Sequence, residues 1–432
     1  MHAEDGFVRR NLARVAKVEP KESGAVLAAF FLFFFVLGSY FAVRPVRETV
    51  ATLLGRERVA DLWLYTALFS ILIVPIYGWL VARVRRSILL PAIYGVVAVI
   101  LVAIGSSLQI DEGNLGIGAF FYVWISVLNL MLVSVFWSFL LEMFDSEQAK
   151  RLFGFVAAGG TLGALVGPFA AGMLVDRIGN AGVLYLAAAG FLGAIVCQRI
   201  LIGIWNRERE GADQGDASAK RNDHGLGGNP FAGISIVLRS PYLLGIALFV
   251  VLLSAVNTFL YFEQLRIVSD SFTDTRQRTE MFATIDFIVQ SLTIVSQLFL
   301  TGRIASALGV RTLLTFVPVV MIFGFAMLSV VNVFGMIATL LVLRRFGEYA
   351  FIRPGREMLW STLDTETKYK AKSFVDVPVY RAADYVGAQA KTAIEAIGIT
   401  PSGAALIGSA LAAIWAVNGW LLGRRHDSKP GT

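Results

Sequence analysis

Residues 343–395 read LRRFGEYAFIRPGREMLWSTLDTETKYKAKSFVDVPVYRAADYVGAQAKTAIE, and this stretch carries many charges within segments that are otherwise apolar. It predicts two long helices joined by a short basic loop. The first helix holds Arg344, Arg345, Glu348, Arg353, Arg356 and Glu357, and the second holds Asp376, Arg381, Asp384, Lys391 and Glu395. An ionisable side chain at the centre of a bilayer costs about 3 kcal/mol on insertion scales. We therefore expect these groups to face one another or a water-filled cavity.

The composition indicates a polytopic membrane protein. Of the 432 residues, 56% are hydrophobic and only 16% are charged, and the mean hydropathy is +0.68. Apolar runs of about 20 residues match the thickness of a hydrocarbon core. Twelve such runs are predicted as spans: 24–53, 61–82, 88–108, 116–143, 150–176, 181–204, 241–268, 279–301, 311–331, 334–361, 368–397 and 402–423.

A polar, glycine-rich stretch, 207–230, divides these runs into six and six, which is typical of a flexible linker. The predicted parts are an N-terminal segment 1–23, a bundle 24–204, a linker 205–240, a bundle 241–423 and a tail 424–432. An internal repeat with an offset of 219 residues supports the division, because it brings Asp145 onto Asp364 and Arg47 onto Arg266. The predicted fold class is an all-α membrane protein with twelve transmembrane helices in two parallel six-helix halves, as in major facilitator transporters.

Lysine and arginine accumulate on alternate loops, among them 83–86, 150–151, 368–372 and 424–425. The positive-inside rule then predicts that both termini are cytoplasmic. The net charge of +7 is mostly this bias, so it does not indicate a nucleic-acid partner.

Several function classes are disfavoured. The histidines, His2, His224 and His426, lie outside the apolar runs, and Cys197 is the one cysteine, so no metal site is expected. A GxxxxGK[ST] phosphate loop is absent from the sequence. We expect neither an enzyme nor a bound cofactor.

The remaining spans also carry charges at helical spacing. Arg44, Arg47 and Glu48 form one stripe in the first span, and Glu263 and Arg266 share a face in the seventh. Pro45 and Pro354 each follow an arginine and predict a break or kink in the helix. Together with the opening stretch, nine cations face seven anions.

This surplus of cations, and the preference for arginine over lysine, favour a planar anion of multiple charge such as a phosphate group. The alternative is that all these charges form structural salt bridges between helices. Glycines at 154, 163, 167 and 172 in the fifth span allow close helix packing, and they also resemble a motif of antiporters in the major facilitator superfamily.

The motifs resemble the ATP:ADP antiporter, or nucleotide transporter, family of plastids and intracellular bacteria, with its bacterial relatives. Arg44-Pro-Val-Arg47-Glu48 is similar to the family's Arg-Asp-x-Lys-Asp run, and Pro354-Gly-Arg-Glu-Met358 is similar to its Pro-x-Lys-Glu-Met run. Leu363-Asp-Thr-Glu-Thr-Lys368, followed by Asp376, matches a later motif. The resemblance implicates Arg47, Glu263, Arg356 and Glu357 in nucleotide exchange. Tyr40, Trp360 and Tyr380 are candidates for stacking on a base.

We predict a secondary transporter that works by alternating access and exchanges nucleotides or another phosphorylated organic anion across a bacterial inner membrane, as a monomer. The alternatives are a proton-coupled transporter of a non-phosphate solute, with Asp286, Asp376 or Asp384 as the proton carrier, and a membrane assembly or sensory subunit. The predicted substrate-binding residues are Arg44, Arg47, Glu48, Glu263, Arg266, Arg353, Arg356, Glu357, Asp376, Tyr380, Arg381 and Asp384.

Overall fold

The computed structural model describes residues 22–110, 114–144, 146–210, 232–299, 301–331, 333–361, 363, 367, 371–372 and 374–428. Within these residues all regular secondary structure is helical, which confirms the all-α prediction. The repeat landmarks Asp145 and Asp364, the basic residues Lys368 and Lys370, and nearly all of the N-terminal segment lie outside the described residues. So do 211–231 of the linker and 429–432 of the tail.

The helices follow the predicted spans closely. In chain order they are α1 (Ser23–Leu54), α2 (Arg56–Arg83), α3 (Arg86–Ile110), α4 (Leu115–Met143), α5 (Ser146–Glu210), α6 (Ala232–Arg239), α7 (Pro241–Ser271), α8 (Thr275–Phe299), α9 (Thr301–Val330), α10 (Phe334–Gly347), α11 (Arg353–Trp360), α12 (Tyr380–Ala396) and α13 (Pro401–Asp427). A π-helical segment, Glu348–Ile352, joins α10 to α11, and a second, Val375–Val379, precedes α12.

The element α5 contains two of the predicted spans. Gly179 has φ 69°, a backbone conformation that favours glycine, and it separates the two helices. Seven stretches in the described part of the chain are long and apolar enough to cross a membrane. One of them, Arg151–Arg207, covers both predicted spans of α5 and is counted as a single stretch. The α5 helix runs past the predicted end at 204, and α6 lies within the predicted linker.

Helix boundaries repeat with the offset of 219 residues. Arg56 and Leu115 begin α2 and α4, and their counterparts Thr275 and Phe334 begin α8 and α10. Gly179 maps onto Gly398, and both have a positive φ, 69° and 79°. The repeat therefore extends beyond the charged landmarks to the first residues of these helices and to one glycine turn.

The described helices form two compact units. The first comprises Met1–Thr49, Val74–His224 and Thr275–Phe287, and the second comprises Val50–Ile73, Gly225–Asp274 and Ile288–Thr432. Each unit thus contains a short segment from the other half of the sequence, at the start of α2 or of α8.

Glycines of α5 set the packing in the first unit. A side chain at Gly159, Gly163 or Gly167 would meet carbonyl oxygens of α1, at Phe30, Phe34 and Gly38 respectively. The two helices therefore approach each other backbone to backbone. Close packing accounts for these glycines without an antiporter-specific role.

The second unit has a core of large apolar side chains from α7, α9, α11 and α13. Trp360 and Trp415 are fully buried in it, and the Trp415 ring lies 5.5 Å from the ring of Phe249. Trp360 is therefore a packing residue and is not exposed for stacking on a base. Tyr40, in the first unit, is also buried, with 7% of its surface exposed.

The prolines that follow arginines have different effects. Pro354 has no N–H, and its ring crowds the carbonyl four residues earlier, so an undistorted α-helix is unfavourable there. The chain stays helical but shifts to π-type hydrogen bonds over Glu348–Ile352, where the Arg353 N–H donates to the Glu348 carbonyl oxygen. Pro45 does not end its helix, and α1 continues past it to Leu54.

Candidate functional site

In the first unit, Arg44 is paired with a buried carboxylate. Its Nε lies 3.8 Å from Oδ2 of Asp286 in α8, and 4% of the Asp286 side chain is exposed. The guanidinium also lies 6.0 Å from the ring centre of Phe41. Asp286, one of the predicted proton carriers, is therefore the counter-ion of a predicted anion-binding arginine.

Arg47 lies one turn further along α1 and contacts several polar and aromatic side chains. It forms an ion pair with Glu48, donates a hydrogen bond of 3.2 Å to the Ser126 hydroxyl, and lies 5.4 Å from the centre of the Tyr122 ring. Only 14% of the Arg47 side chain is exposed. The stripe predicted for the first span thus exists, and its charges are largely compensated within the unit.

In the second unit, two arginines converge on Glu348. Arg344 Nη1 lies 2.8 Å from Oε2 of Glu348, and Arg353 Nη2 lies 3.4 Å from Oε1. The π segment accounts for this arrangement, because i→i+5 hydrogen bonds widen the turn and bring residue 353 back towards the face of residue 348. We call Arg344, Glu348 and Arg353 the Glu348 trio, which carries a net charge of +1.

The members of the trio differ sharply in exposure. The side chains of Arg344 and Glu348 are 6% and 11% exposed, whereas that of Arg353 is 55% exposed. The Arg353 guanidinium lies 4.4 Å from the centre of the Tyr349 ring, a distance that suits a cation–π contact. Arg353 is therefore held on two sides while more than half of its side chain stays accessible.

The neighbouring residues of α11 form separate pairs. Arg356 Nη2 lies 3.3 Å from Oδ1 of Asp376, and Lys372 Nζ lies 2.5 Å from Oε2 of Glu357. The Arg356 pair is mostly buried, while half of the Glu357 side chain is exposed. Both Arg356 and Glu357 were predicted as site residues, and the structure places them in different pairs.

Asp384 in α12 is buried and has two partners. The Ser254 hydroxyl donates to its Oδ1 over 2.5 Å, and Arg381 Nη1 lies 3.7 Å from its Oδ2. Tyr380, at the start of the same helix, is half-buried and packs against the core of the second unit. These three predicted site residues therefore share one helix face next to α7.

Glu263 lies in a longer chain of charges. Its Oε1 is 2.8 Å from Lys391 Nζ, and its Oε2 is 2.8 Å from Arg266 Nη2. Lys391 Nζ also lies 3.2 Å from Oε1 of Glu395. Both carboxylate oxygens of Glu395 accept hydrogen bonds of 2.8 Å from Arg56.

Arg266 also lies 3.7 Å from Asp270, an exposed carboxylate at the far end of this chain. We call the whole set the Glu263 ladder: Arg56, Glu395, Lys391, Glu263, Arg266 and Asp270. Its three cations and three anions alternate, so its net charge is zero. It links the start of α2 to α7 and α12.

A cavity of about 330 Å³ adjoins one end of the ladder. Its lining includes Arg56, Arg58, Phe262, Lys391 and Glu395, all in the second unit. The ladder is therefore partly buried and partly open to a polar space.

The predicted charges do not form one group, because they are divided between the two units and, within each unit, among separate pairs and clusters. Arg353 is in the trio, and Glu263 and Arg266 are in the ladder. The remaining predicted residues form the pairs above, except Tyr380, which packs against the core of the second unit. Arg344, Glu348, Lys391 and Glu395 were predicted as charges of this region but not as binding residues. Tyr349 and Arg56 are participants that the prediction omitted. Tyr349 could have been found from its spacing of four residues from Arg353, whereas Arg56 reaches Glu395 only through the tertiary fold.

The described residues contain no group of three or more His, Cys, Asp or Glu side chains that could hold a metal ion. Cations and carboxylates instead form pairs and short chains inside helical bundles. This fold and these charges define a polytopic membrane protein with many of its ion pairs buried between helices.

The comparisons with known proteins identify the family. A model described as Major Facilitator Superfamily matches residues 29–354, which is most of the chain, and the chain therefore belongs to that superfamily. A sequence search of curated proteins gave no match.

Solved structures of transporters share the fold. A bacterial homolog of the human lysosomal transporter Spinster, inward-facing and unoccupied, has a TM-score of 0.58 at 13% identity, covering 96% of this chain and 99% of that chain. A POT family transporter in complex with 5-aminolevulinic acid has a TM-score of 0.63 at 13% identity, with 94% and 96% covered. The nucleoside transporter NupG has a TM-score of 0.58 at 12% identity, with 94% and 99% covered. This chain is thus a secondary transporter of the major facilitator type.

Proposed function

We propose that this transporter exchanges nucleotides or another phosphorylated organic anion. The observation that carries the proposal is the Glu348 trio, in which a carboxylate binds two arginines and one of them, Arg353, keeps 55% of its side chain exposed. A planar guanidinium that is held in position and has free donors is suited to bidentate contact with phosphate oxygens.

The proposal gives the carboxylates a role in coupling. Glu348 and Asp376 neutralise Arg353 and Arg356 when no substrate is bound. A phosphate group would compete with them for the same donors, so binding would break internal pairs. A ligand shifts a conformational equilibrium only through such a difference in interaction between states. Arg44 and Arg47 are assigned to anion binding for the same reason, since each pairs with a carboxylate with which a phosphate group would compete.

The substrate class rests also on the resemblance to the ATP:ADP antiporter family, in which Pro354-Gly-Arg-Glu-Met358 and Arg44-Pro-Val-Arg47-Glu48 match charged motifs. We further propose that the protein lies in a bacterial inner membrane with both termini in the cytoplasm, as the distribution of lysine and arginine predicts. The division into halves 24–204 and 241–423 belongs to the same proposal.

Exchange assays in proteoliposomes test this function. Purified protein is reconstituted in vesicles loaded with ADP, inorganic phosphate or buffer, and the uptake of labelled ATP, ADP and phosphate is measured. We expect uptake that depends on an internal phosphorylated anion and that falls at least tenfold in Arg356→Ala. If neither protein exchanges any phosphorylated anion, the proposal is wrong.

The same vesicles discriminate the alternatives. Uptake of a non-phosphate solute that requires a pH gradient and is insensitive to nucleotides would indicate a proton-coupled transporter. If no member of a broad ligand panel raises the thermal stability of the protein, and a partner protein co-purifies with it, an assembly or sensory subunit would be indicated instead.

A further inference from the structure

A group of four arginines lies at one end of the second unit, outside the charged pairs described above. Arg239 ends α6, Arg311 lies in α9, and Arg424 and Arg425 lie in the last turn of α13. We call these four residues the arginine cluster. Each of them is exposed.

Backbone packing brings these arginines together. α13 approaches α9 so closely at Gly423 that a Cβ there would lie 2.8 Å from Cβ of Arg311. The Arg425 guanidinium lies 5.6 Å from the ring centre of Tyr242, which is three residues beyond Arg239. The cluster therefore lies at the end of α13, on α9 just after its break at Gly309 (φ 76°), and at the end of α6 next to Tyr242 of α7.

In the described part of the chain, no carboxylate compensates the charge of the cluster. None of the four arginines has an ion-pair partner among the residues that the structure describes. The nearby carboxylate, Asp427, accepts hydrogen bonds of 3.1 Å from the backbone N–H groups of Val310 and Arg311 and lies 3.3 Å from His426. The Asp427 carboxylate therefore accepts hydrogen bonds from the backbone of α9 and does not form an ion pair with a guanidinium group of the cluster.

Aromatic and apolar side chains locate the cluster at the surface of a membrane. The Arg424 guanidinium lies 5.3 Å from the ring centre of Trp420, and Trp420 is 38% exposed. Leu238 and Leu421, next to Arg239 and Trp420, are largely exposed apolar residues. Tryptophan beside arginine is typical of the level of the lipid headgroups, where apolar neighbours contact the hydrocarbon.

We propose that the arginine cluster is a binding site for the headgroup of an anionic phospholipid. Guanidinium groups contact the lipid phosphate, while Leu238 and Leu421 lie against the acyl chains. A free phosphate ion offers the same charge but no acyl chain, so the apolar border favours the lipid. Basic pockets between membrane helices bind such headgroups, because their cations lie at the level of the lipid phosphate. The site is independent of the proposed exchange function.

The test measures lipid retention by the purified full-length protein in a neutral detergent. Phosphatidylglycerol, cardiolipin, phosphatidylcholine or inorganic phosphate is added, and bound adducts are counted by native mass spectrometry. We expect the wild type to retain phosphatidylglycerol and cardiolipin in preference to phosphatidylcholine. Arg424→Gln/Arg425→Gln should bind the anionic lipids about 30-fold more weakly, since each interfacial arginine contributes roughly fivefold.

Arg83→Gln/Arg85→Gln is the matched control, because it removes the same charge from another basic loop. It should retain lipid as the wild type does. Equal loss in both double variants, or equal binding of phosphatidylcholine, would show that only general surface charge matters and would overturn the proposal. Displacement of lipid by inorganic phosphate at equal concentration would identify a free-anion site instead. The melting temperature of each variant without lipid verifies that it is folded.

Discussion

Two carboxylates of the second unit, Glu263 and Glu348, each bind two cations, yet their surroundings differ. Glu263 lies within a neutral ladder, and its partner Lys391 is 2% exposed. Glu348 lies in a trio of charge +1, and its partner Arg353 is 55% exposed. The same local chemistry therefore produces a closed ion pair in one place and an accessible cation in the other.

This difference separates stability from anion binding. Buried charges that neutralise each other hold helices in register, and breaking one pair leaves an uncompensated charge in the interior. An exposed arginine adds little stability, and if an anion replaces Glu348 as the partner of Arg353, the buried carboxylate still keeps Arg344. We expect substitutions in the ladder to affect folding first and substitutions at Arg353 to affect ligand binding first.

The largest effect is expected for Glu263→Gln. It removes the carboxylate between Lys391 and Arg266, and Lys391 then keeps only Glu395. Loss of one partner of a buried pair costs about 3 kcal/mol or more of unfolding free energy. Unfolding by sodium dodecyl sulfate in mixed micelles measures this change.

The control for this change is Asp270→Asn, which removes an exposed partner of Arg266 and should cost less than about 0.5 kcal/mol. Adding Lys391→Met to Glu263→Gln should recover part of the loss, because the buried ammonium disappears with its partner. No recovery in the double variant would mean that Lys391 and Glu263 are not coupled.

A smaller effect is expected for Arg344→Gln, within the trio. The substitution removes the buried 2.8 Å contact with Glu348, but Arg353 still neutralises the carboxylate. A hydrogen bond between charged groups contributes about 2 kcal/mol, so we expect a loss of that size in the same unfolding assay. A loss as large as that of Glu263→Gln would remove the distinction between the two carboxylates.

Arg353→Gln should change stability by less than about 1 kcal/mol, since the Arg353 side chain is half exposed. Its melting temperature should stay close to that of the wild type. A collapse of the fold on this substitution would show that Arg353 is a structural residue, contrary to its assignment.

The smallest effect is expected for Arg56→Gln at the end of the ladder. Arg56 and Glu395 are 37% and 30% exposed, and pairs of this kind contribute about 0.5 kcal/mol. The melting temperature should shift by no more than a few degrees. A loss comparable with that of Glu263→Gln would mean that the ladder acts as a single cooperative network.

The sequence predicted the helices well and the pairing of charges poorly. Hydropathy and the 219-residue offset are local or periodic signals, so both limits of α4 and the start of α10 follow from them. The pairing of Arg56 with Glu395 joins residues far apart in the chain, and no periodic pattern encodes it. The π segment before Arg353 was predicted only as a break at Pro354, because sequence does not specify how a helix accommodates a proline.

The most direct test of the central claim is equilibrium binding of ADP to detergent-purified wild type, Arg353→Gln and Arg56→Gln. Both variants lose one arginine charge, but only the first loses the exposed member of the trio. We expect Arg353→Gln to raise the dissociation constant at least tenfold, as loss of a charged hydrogen bond requires, and Arg56→Gln to change it less than threefold. Equal dissociation constants for the wild type and Arg353→Gln would contradict the assignment of Arg353 to anion binding.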